Sequence, residues 1–239
     1  MSPRRVPVSR RDRPAKPPLS RAGAVTVALQ IMNEEGLERV TMRRLATELD
    51  TGPASLYVYV QNMAELHGAI LDELLAGLRL PDPGQAGENW RAELIGLLTD
   101  YTRLLLAQPS LARSILALRP SGPHYVHLVD TLLGLLHAGG VPVAQAAWGV
   151  DLLLQHGTAT AAEQAIRNAT NEAQQEHDAF VEALNEAADD DCPNIARARN
   201  ELFSGTGIQR LSWMFDALIA GISTVAVTAP EPSATNRPS

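Results

Sequence analysis

The sequence predicts an all-α protein, and three observations carry that expectation. Alanine and leucine are dense while β-branched and aromatic residues are sparse, with Phe, Trp and Tyr at 4% of the chain; that balance favours helix over strand. Apolar residues recur at three- and four-residue spacing, and no stretch alternates with the period of two that a half-buried strand requires. Proline and glycine fall mainly between the periodic stretches, where they act as stops.

The elements follow in order. Residues 1–19 carry five prolines among their charges and read as a disordered basic arm. Ser20 is an N-cap for a first helix through Ala24, Val27, Ala28, Ile31 and Met32, which Gly36 stops. Thr41 caps a second helix whose inner face is Leu45, Ala46 and Leu49. Asp50-Thr51-Gly52-Pro53 is a turn, with Pro53 at the first helical position where a missing N–H costs nothing. The third helix spans about 53–60, with Leu56 and Val60 one turn apart. Asn62 and Glu65 have capping-box spacing and open a fourth helix through Leu66, Ile70, Leu74 and Leu78. After the Pro81–Gly84 break come helices over 90–108, 110–118, 122–137 and 143–167, a modest one through Phe180, Ala183, Leu184 and Ala187, and a last one over 207–225. The tail 229–239 contains Pro and Ser and is expected to be disordered.

Charge narrows the function classes. The 239-residue chain is 45% apolar with a net charge of −7, and its length suits one large domain or a small domain joined to a larger one. Seven basic residues (Arg4, Arg5, Arg10, Arg11, Arg13, Lys16, Arg21) face the single acid Asp12 within the first twenty-one positions. Net acidity argues against a surface that coats nucleic acid as a whole, but it leaves room for a local basic contact. One cysteine, Cys192, excludes a disulfide framework within one chain and points to a reducing compartment. No apolar run reaches the roughly eighteen residues of a spanning helix. No apolar segment follows the basic N-terminus as a secretory signal would require. The expected location is cytoplasmic, with no membrane partner.

The stretch "VTMRRLATELDTGPASLYVYVQNMAEL", 40–66, carries the most specific signal. Two short helices joined by a tight turn form a helix-turn-helix, whose second helix enters the major groove. Leu56 and Val60 hold that helix from behind. Ala54 and Tyr57 share a face three residues apart, which Ser55 and Tyr59 widen. A tyrosine hydroxyl can donate to a phosphate oxygen while its ring lies along the sugar backbone. Periodicity equally allows both tyrosines to pack against the neighbouring helix.

Residues 20–78, through the Gly36-Leu37 stop, "VTMRRLATEL", "SLYVYV" and "QNMAEL", resemble the DNA-binding domain of the tetracycline-repressor (TetR) family. The resemblance implies an N-terminal three-helix helix-turn-helix domain (20–66), joined by a long fourth helix to an α-helical ligand-binding and dimerisation domain (67–228). It implies a homodimer on a pseudo-palindromic double-stranded DNA operator, released by a small-molecule effector. Carried over by position, Thr41, Met42, Arg43 and Arg44 start the second helix, where the family contacts phosphates and a base edge; Arg43 is the candidate for pairing with guanine. Pro53, Ala54 and Ser55 begin the recognition helix. Tyr57 is the family's phosphate-contacting tyrosine, and Tyr59 takes the place of a common histidine or tyrosine. Met63 departs from the pattern, since many members have lysine there, and the basic arm is then expected to supply missing charge.

The second half resembles the family's tetracycline-binding members more loosely, through "GENWRAEL", Arg119-Pro120 and the 213–222 stretch. That implies a cavity between the fourth and eighth helices and a dimer interface from the 143–167 and 207–225 helices. The positions of the tetracycline-gripping histidine and asparagine hold Arg79 and Leu97, and that of the magnesium-binding histidine holds Ile115. A metal-chelated tetracycline is therefore not the expected effector. With Leu97, Tyr101, Ile115, Leu128 and Trp148 near it, the cavity is expected to take an apolar or aromatic molecule oriented by Arg119. No motif calls for a cofactor or a metal: His124 and His127 read as surface or pocket-lining residues, and Glu172, Glu176 and 189–191 as solvated surface. No Ser-His-Asp order, glycine-rich phosphate loop or Cys-His pair supports an enzyme. The remaining competitor is an α-helical small-molecule-binding or interaction protein with a weak or vestigial DNA-binding domain.

Overall fold

Ser20 Oγ accepts the Gly23 amide at 3.0 Å and so starts α1 (Arg21–Glu35), as a capping serine should. The computed structural model describes residues 19–116, 118, 120–169, 171–188 and 190–228. The arm and tail read as disordered from the sequence lie outside them, apart from Leu19. All regular structure among the described residues is helical. Two compact units, Met1–Ile70 and Leu71–Ser239, divide the chain within its fourth helix.

In the first unit α1 ends at Gly36, whose φ of 93° is a conformation that side chains strain to adopt. Its N–H returns to Met32 O at 3.0 Å. A single 3-10 turn, Leu37–Arg39, leads to α2 (Met42–Glu48), then α3 (Pro53–Leu56) and the start of α4 (Met63–Leu75). Ala24, Val27, Ala28 and Ile31 of α1 are buried, as are Leu45 and Ala46 of α2, and Leu49, Leu56, Val60, Leu66 and Ile70 beyond them. The regular α-helix at 53 stops at Leu56 rather than running to Val60. The β-branched Val58 weakens regular continuation, so 57–59 form a turn, one that keeps the helical sense because the Tyr59 and Val60 amides both donate to Leu56 O.

The second unit is built around α8 (Val143–Arg167). It packs on α5 (Trp90–Leu106), α6 (Pro109–Ile115), α7 (Pro123–Ala138) and α11 (Gly207–Thr224). Gly157 lets α8 approach α5 closely, since a Cβ there would lie 2.7 Å from Thr102 Oγ1. The acidic stretch forms α9 (Asn171–Glu186). An additional helix, α10 (Pro193–Leu202), has no fully buried residue. Its sequence marks are a short apolar stripe, Ile195, Ala198 and Leu202, and Pro193 at the first helical position. Helix α11 opens with a capping box, in which Thr206 Oγ1 accepts the Gln209 amide at 3.2 Å and Gln209 Oε1 accepts the Thr206 amide at 2.8 Å.

Candidate nucleic-acid interface and ligand cavity

The turn between α2 and α3 sets the exposed surface of the first unit. Asp50 adopts a left-handed conformation at φ 56°, which a short polar side chain tolerates better than most. The Thr51 amide returns to Ala46 O at 2.9 Å and closes the end of α2. With Leu56 and Val60 buried, Pro53, Ala54 and Ser55 are left exposed. Tyr57 is 52% exposed and Tyr59 half-buried. Neither tyrosine hydroxyl has a hydrogen-bond partner among the described residues, so each can donate to a phosphate oxygen.

Thr41 Oγ1 accepts the Arg44 amide at 3.1 Å and caps α2; Thr41 and Arg43 are exposed and Met42 is half-buried. The neighbouring arginines part company. Arg44 Nη2 donates to Glu35 Oε1 at 2.7 Å and Nη1 to the Glu48 carboxylate. Those two carboxylates hold its guanidinium protonated above the ordinary arginine range. Its charge ties α1 to α2, whereas the Arg43 guanidinium has no ion-pair partner among the described residues. Of the pair grouped together by the sequence, Arg43 alone is free to meet a base edge.

At the start of α4 the Glu65 amide donates to Asn62 Oδ1 at 2.8 Å. The reciprocal bond reaches one residue further back than a capping box would, from the Gln61 amide to Glu65 Oε2 at 2.7 Å. Arg21 Nε also lies 3.4 Å from Glu65 Oε1. Met63 is half-buried and adds no charge.

In the second unit a cavity of about 140 Å³ lies among α4, α5, α6, α7 and α8. Leu71, Tyr101, Ile115 and Leu154 form apolar walls, and Tyr125, Gln155 and Thr158 bring polar atoms. The buried Thr158 Oγ1 lies 2.7 Å from Tyr101 Oη and donates to Leu154 O at 2.9 Å. Its single proton is thereby committed, so the tyrosine is the donor of the pair. Burial pushes the Tyr101 phenol up from its ordinary range.

Beside the cavity a buried carboxylate of α4 meets the start of α7. Asp72 Oδ1 accepts the Tyr125 amide at 2.8 Å and so caps the N-terminus of α7. His124 Nδ1 lies 3.2 Å from Asp72 Oδ2. Gly122 makes the fit possible, because a Cβ there would sit 2.0 Å from Asp72 Cγ.

The structure brings only part of the expected ligand set together. Tyr101 and Ile115 line the cavity; Leu97 and Leu128 are buried but do not. Trp148 is 65% exposed and lines a separate groove with residues of α11. Arg79 points outward, its side chain 79% exposed and paired with Glu93 at 3.1 Å. Arg119 lies outside the described residues. The sequence reading did not find Leu71, Tyr125 or Thr158, whose relevance depends on helices far apart in the chain. His127 is exposed, and no group of three His, Cys, Asp or Glu among the described residues could hold a metal ion. No helix among those residues is long and apolar enough to cross a membrane.

Comparison with known proteins gives concordant matches for both units. Residues 24–70 match the family profile of bacterial regulatory proteins, tetR family. Residues 80–225 match that of the tetracyclin repressor-like C-terminal domain. Tetracycline repressor protein class D of Escherichia coli is 28% identical over 212 residues, covering 88% of this chain and 92% of its own. A candidate transcription regulator from Streptomyces is 51% identical, with a TM-score of 0.74 over 90% of this chain and all of its own. ActR of Streptomyces coelicolor, solved in complex with actinorhodin, is 32% identical, with a TM-score of 0.73 over 86% of this chain and 95% of its own. Members of this family bind operators as dimers and respond to small molecules. The chain belongs to the tetracycline-repressor family, as a ligand-responsive, DNA-binding transcriptional regulator.

Proposed function

We propose that this regulator is a repressor that holds its operator as a homodimer and leaves it when a small, largely apolar effector occupies the cavity beside Tyr101. One observation carries the proposal. Helix α4 supplies Leu71 to the cavity wall, and the same helix opens at Met63, three residues after the recognition turn. An effector that displaces Leu71 and its neighbour Asp72 biases the path of α4. Release requires only that effector and operator prefer different conformations of one dimer. Half-sites lie about one helical turn apart, roughly 34–36 Å, so a shift of a few ångströms breaks the fit.

Residues 20–66 serve as the DNA-binding domain in this reading, and 67–228 bind the effector and dimerise. Arg43 contacts a base edge, Thr41, Tyr57 and Tyr59 contact phosphates, and Pro53, Ala54 and Ser55 enter the groove. Dimerisation through α8 and α11 is supported by an open apolar groove of about 520 Å³ lined by Trp148, Leu152, Leu218 and Ile222. Trp213, on α11, is 71% exposed. An apolar patch of this kind marks an interaction surface. The ligand-bound ActR structures support a small-molecule effector. The chain acts in the cytoplasm and is not an enzyme; the cavity offers no nucleophile with an adjacent base, and the Tyr101 hydroxyl is committed to Thr158. The basic arm neutralises further phosphates, so deleting residues 1–19 lowers affinity and flattens the salt dependence, by about 0.9 in slope for each phosphate the arm neutralises.

The test is fluorescence anisotropy with duplexes spanning the DNA beside the protein's own gene. Specific binding is expected, lost in Arg43→Ala and Tyr57→Ala and reversed by a molecule co-purifying with the protein. Absence of any specific duplex at low salt would sink the proposal.

A further inference from the structure

Leu56 and Val60 stand four residues apart and both face the core. Ala54 and Val58 are also four apart, and each lies two positions from a core residue, about 200° around a helix axis. The chain keeps its helical path past Leu56, because the Tyr59 and Val60 amides both donate to Leu56 O at 2.9 Å. Ala54 and Val58 therefore form the outermost ridge of the recognition element. Val58 is 79% exposed, more than any other large apolar side chain among the described residues. It is β-branched in a helical turn and buries nothing in its own unit, so folding does not explain it.

The chemistry of the ridge limits what it can read. From Pro53 to Val60 the side chains able to hydrogen-bond are Ser55, Tyr57 and Tyr59. None can make the bidentate contacts by which Arg, Lys, Asn or Gln identify a base. Arg43 supplies that kind of contact from α2. In the major groove guanine, adenine and cytosine present polar edges, and thymine alone carries a methyl group, on C5. Pressing an isopropyl group against a polar edge strips water without replacing its hydrogen bonds, which is unfavourable.

We infer that Val58 is a specificity-determining residue, selecting thymine in each half-site through apolar contact with its 5-methyl group. The inference rests on the DNA-binding reading above and fixes one element of the operator. Val58 and Ala54 demand a thymine under the outer ridge, flanked by the phosphates that Tyr57 and Tyr59 grip.

The test uses the full-length protein and a duplex that it selects from a random library. Each thymine is replaced in turn by deoxyuridine, which removes the methyl and leaves every hydrogen-bonding group in place. One symmetric pair of replacements should weaken wild-type binding by about fourfold per methyl, roughly fifteenfold together. Val58→Ala, at an exposed position, should bind the unmodified duplex with that weaker affinity and lose nothing further on replacement. Val58→Thr, of equal shape with a hydroxyl for one methyl, should fall between. A 5-methylcytosine·guanine pair at the same step should bind better than cytosine·guanine for wild type but not for Val58→Ala. Wild-type binding indifferent to every deoxyuridine, or an equal loss in wild type and Val58→Ala, overturns the inference while leaving DNA binding intact. Selection of no duplex overturns the DNA-binding reading itself.

Discussion

In the first unit the residues proposed to meet DNA are those the core leaves out. Arg43, Ala54, Tyr57 and Val58 are exposed because Leu45, Leu56 and Val60 take the buried positions of the same turns. In the second unit the reverse holds, since Tyr101, Ile115, Leu154 and Thr158 line the cavity and are themselves buried. The proposed duplex contact is a surface that short-range periodicity lays out. The proposed effector site is a hollow that four or five helices must enclose. Mutations should therefore separate cleanly: those on the ridge alter binding at constant stability, and those around the hollow alter stability and response together.

The largest effect is expected where the packing beside the hollow is tightest. Gly122→Ala places a methyl 2.0 Å from Asp72 Cγ and disrupts the cap on α7. It should destabilise the second unit by about 2–4 kcal/mol, combining overpacking with removal of the cap. Thermal unfolding should register this as a lowered midpoint, and an unchanged midpoint would contradict the Asp72 geometry.

Next come the two arginines of α2. Arg43→Ala should weaken operator binding by about 10- to 100-fold, the worth of a bidentate base contact, with its melting temperature unchanged. Arg44→Ala should do the opposite, lowering the melting temperature through loss of the Glu35 and Glu48 ties. Equal behaviour of the two arginines in both assays would erase the distinction between them.

A smaller effect is expected from Tyr101→Phe, which removes the donor to Thr158. It should cost about 1 kcal/mol and shift the effector concentration for half-release, while affinity for the bare operator stays the same. An altered operator affinity without effector would show that the two surfaces are not separable.

The smallest concerns pH. His67, half-buried on α4, has its pKa lowered by burial. The unfolded chain accepts a proton at an ordinary histidine pKa of about 6.5, and the folded chain resists it. Stability is thus full above that pH and declines as pH falls below it. His67→Gln should flatten the decline in denaturation midpoints between about pH 7 and pH 5; an identical slope would remove His67 as its source. Tyr101 in the second unit titrates too high to contribute in that range.

The sequence was most informative where a single local bond settles an outcome. Ser20, Thr41 and Asn62 cap the helices that their spacing indicates, and Val143 and Arg167 bound α8 as periodicity suggests. It was least informative where no core was at stake. Helix α10 has no fully buried residue, and its apolar stripe of Ile195, Ala198 and Leu202 is short. Val58 could have been found from its four-residue spacing to Ala54 and its two-residue offset from Leu56 and Val60. The ligand set was harder: Trp148 shares a helical stripe with Leu152 and Gln155, and nothing in a one-dimensional period says whether such a stripe faces a cavity or a partner.

By itself, then, the sequence determined the helices other than α10, their caps, the recognition turn and the ridge of that turn, because each is decided by neighbours within four residues. Glu48, four residues on, already offers Arg44 a local partner that Arg43 lacks, and α1 adds Glu35 to the same guanidinium. Only the tertiary structure decided the cavity, since Leu71, Tyr101, Tyr125 and Thr158 come together through packing across long stretches of chain. Burial and enclosure are properties of what lies opposite a residue, and the chain's local order does not specify what that will be.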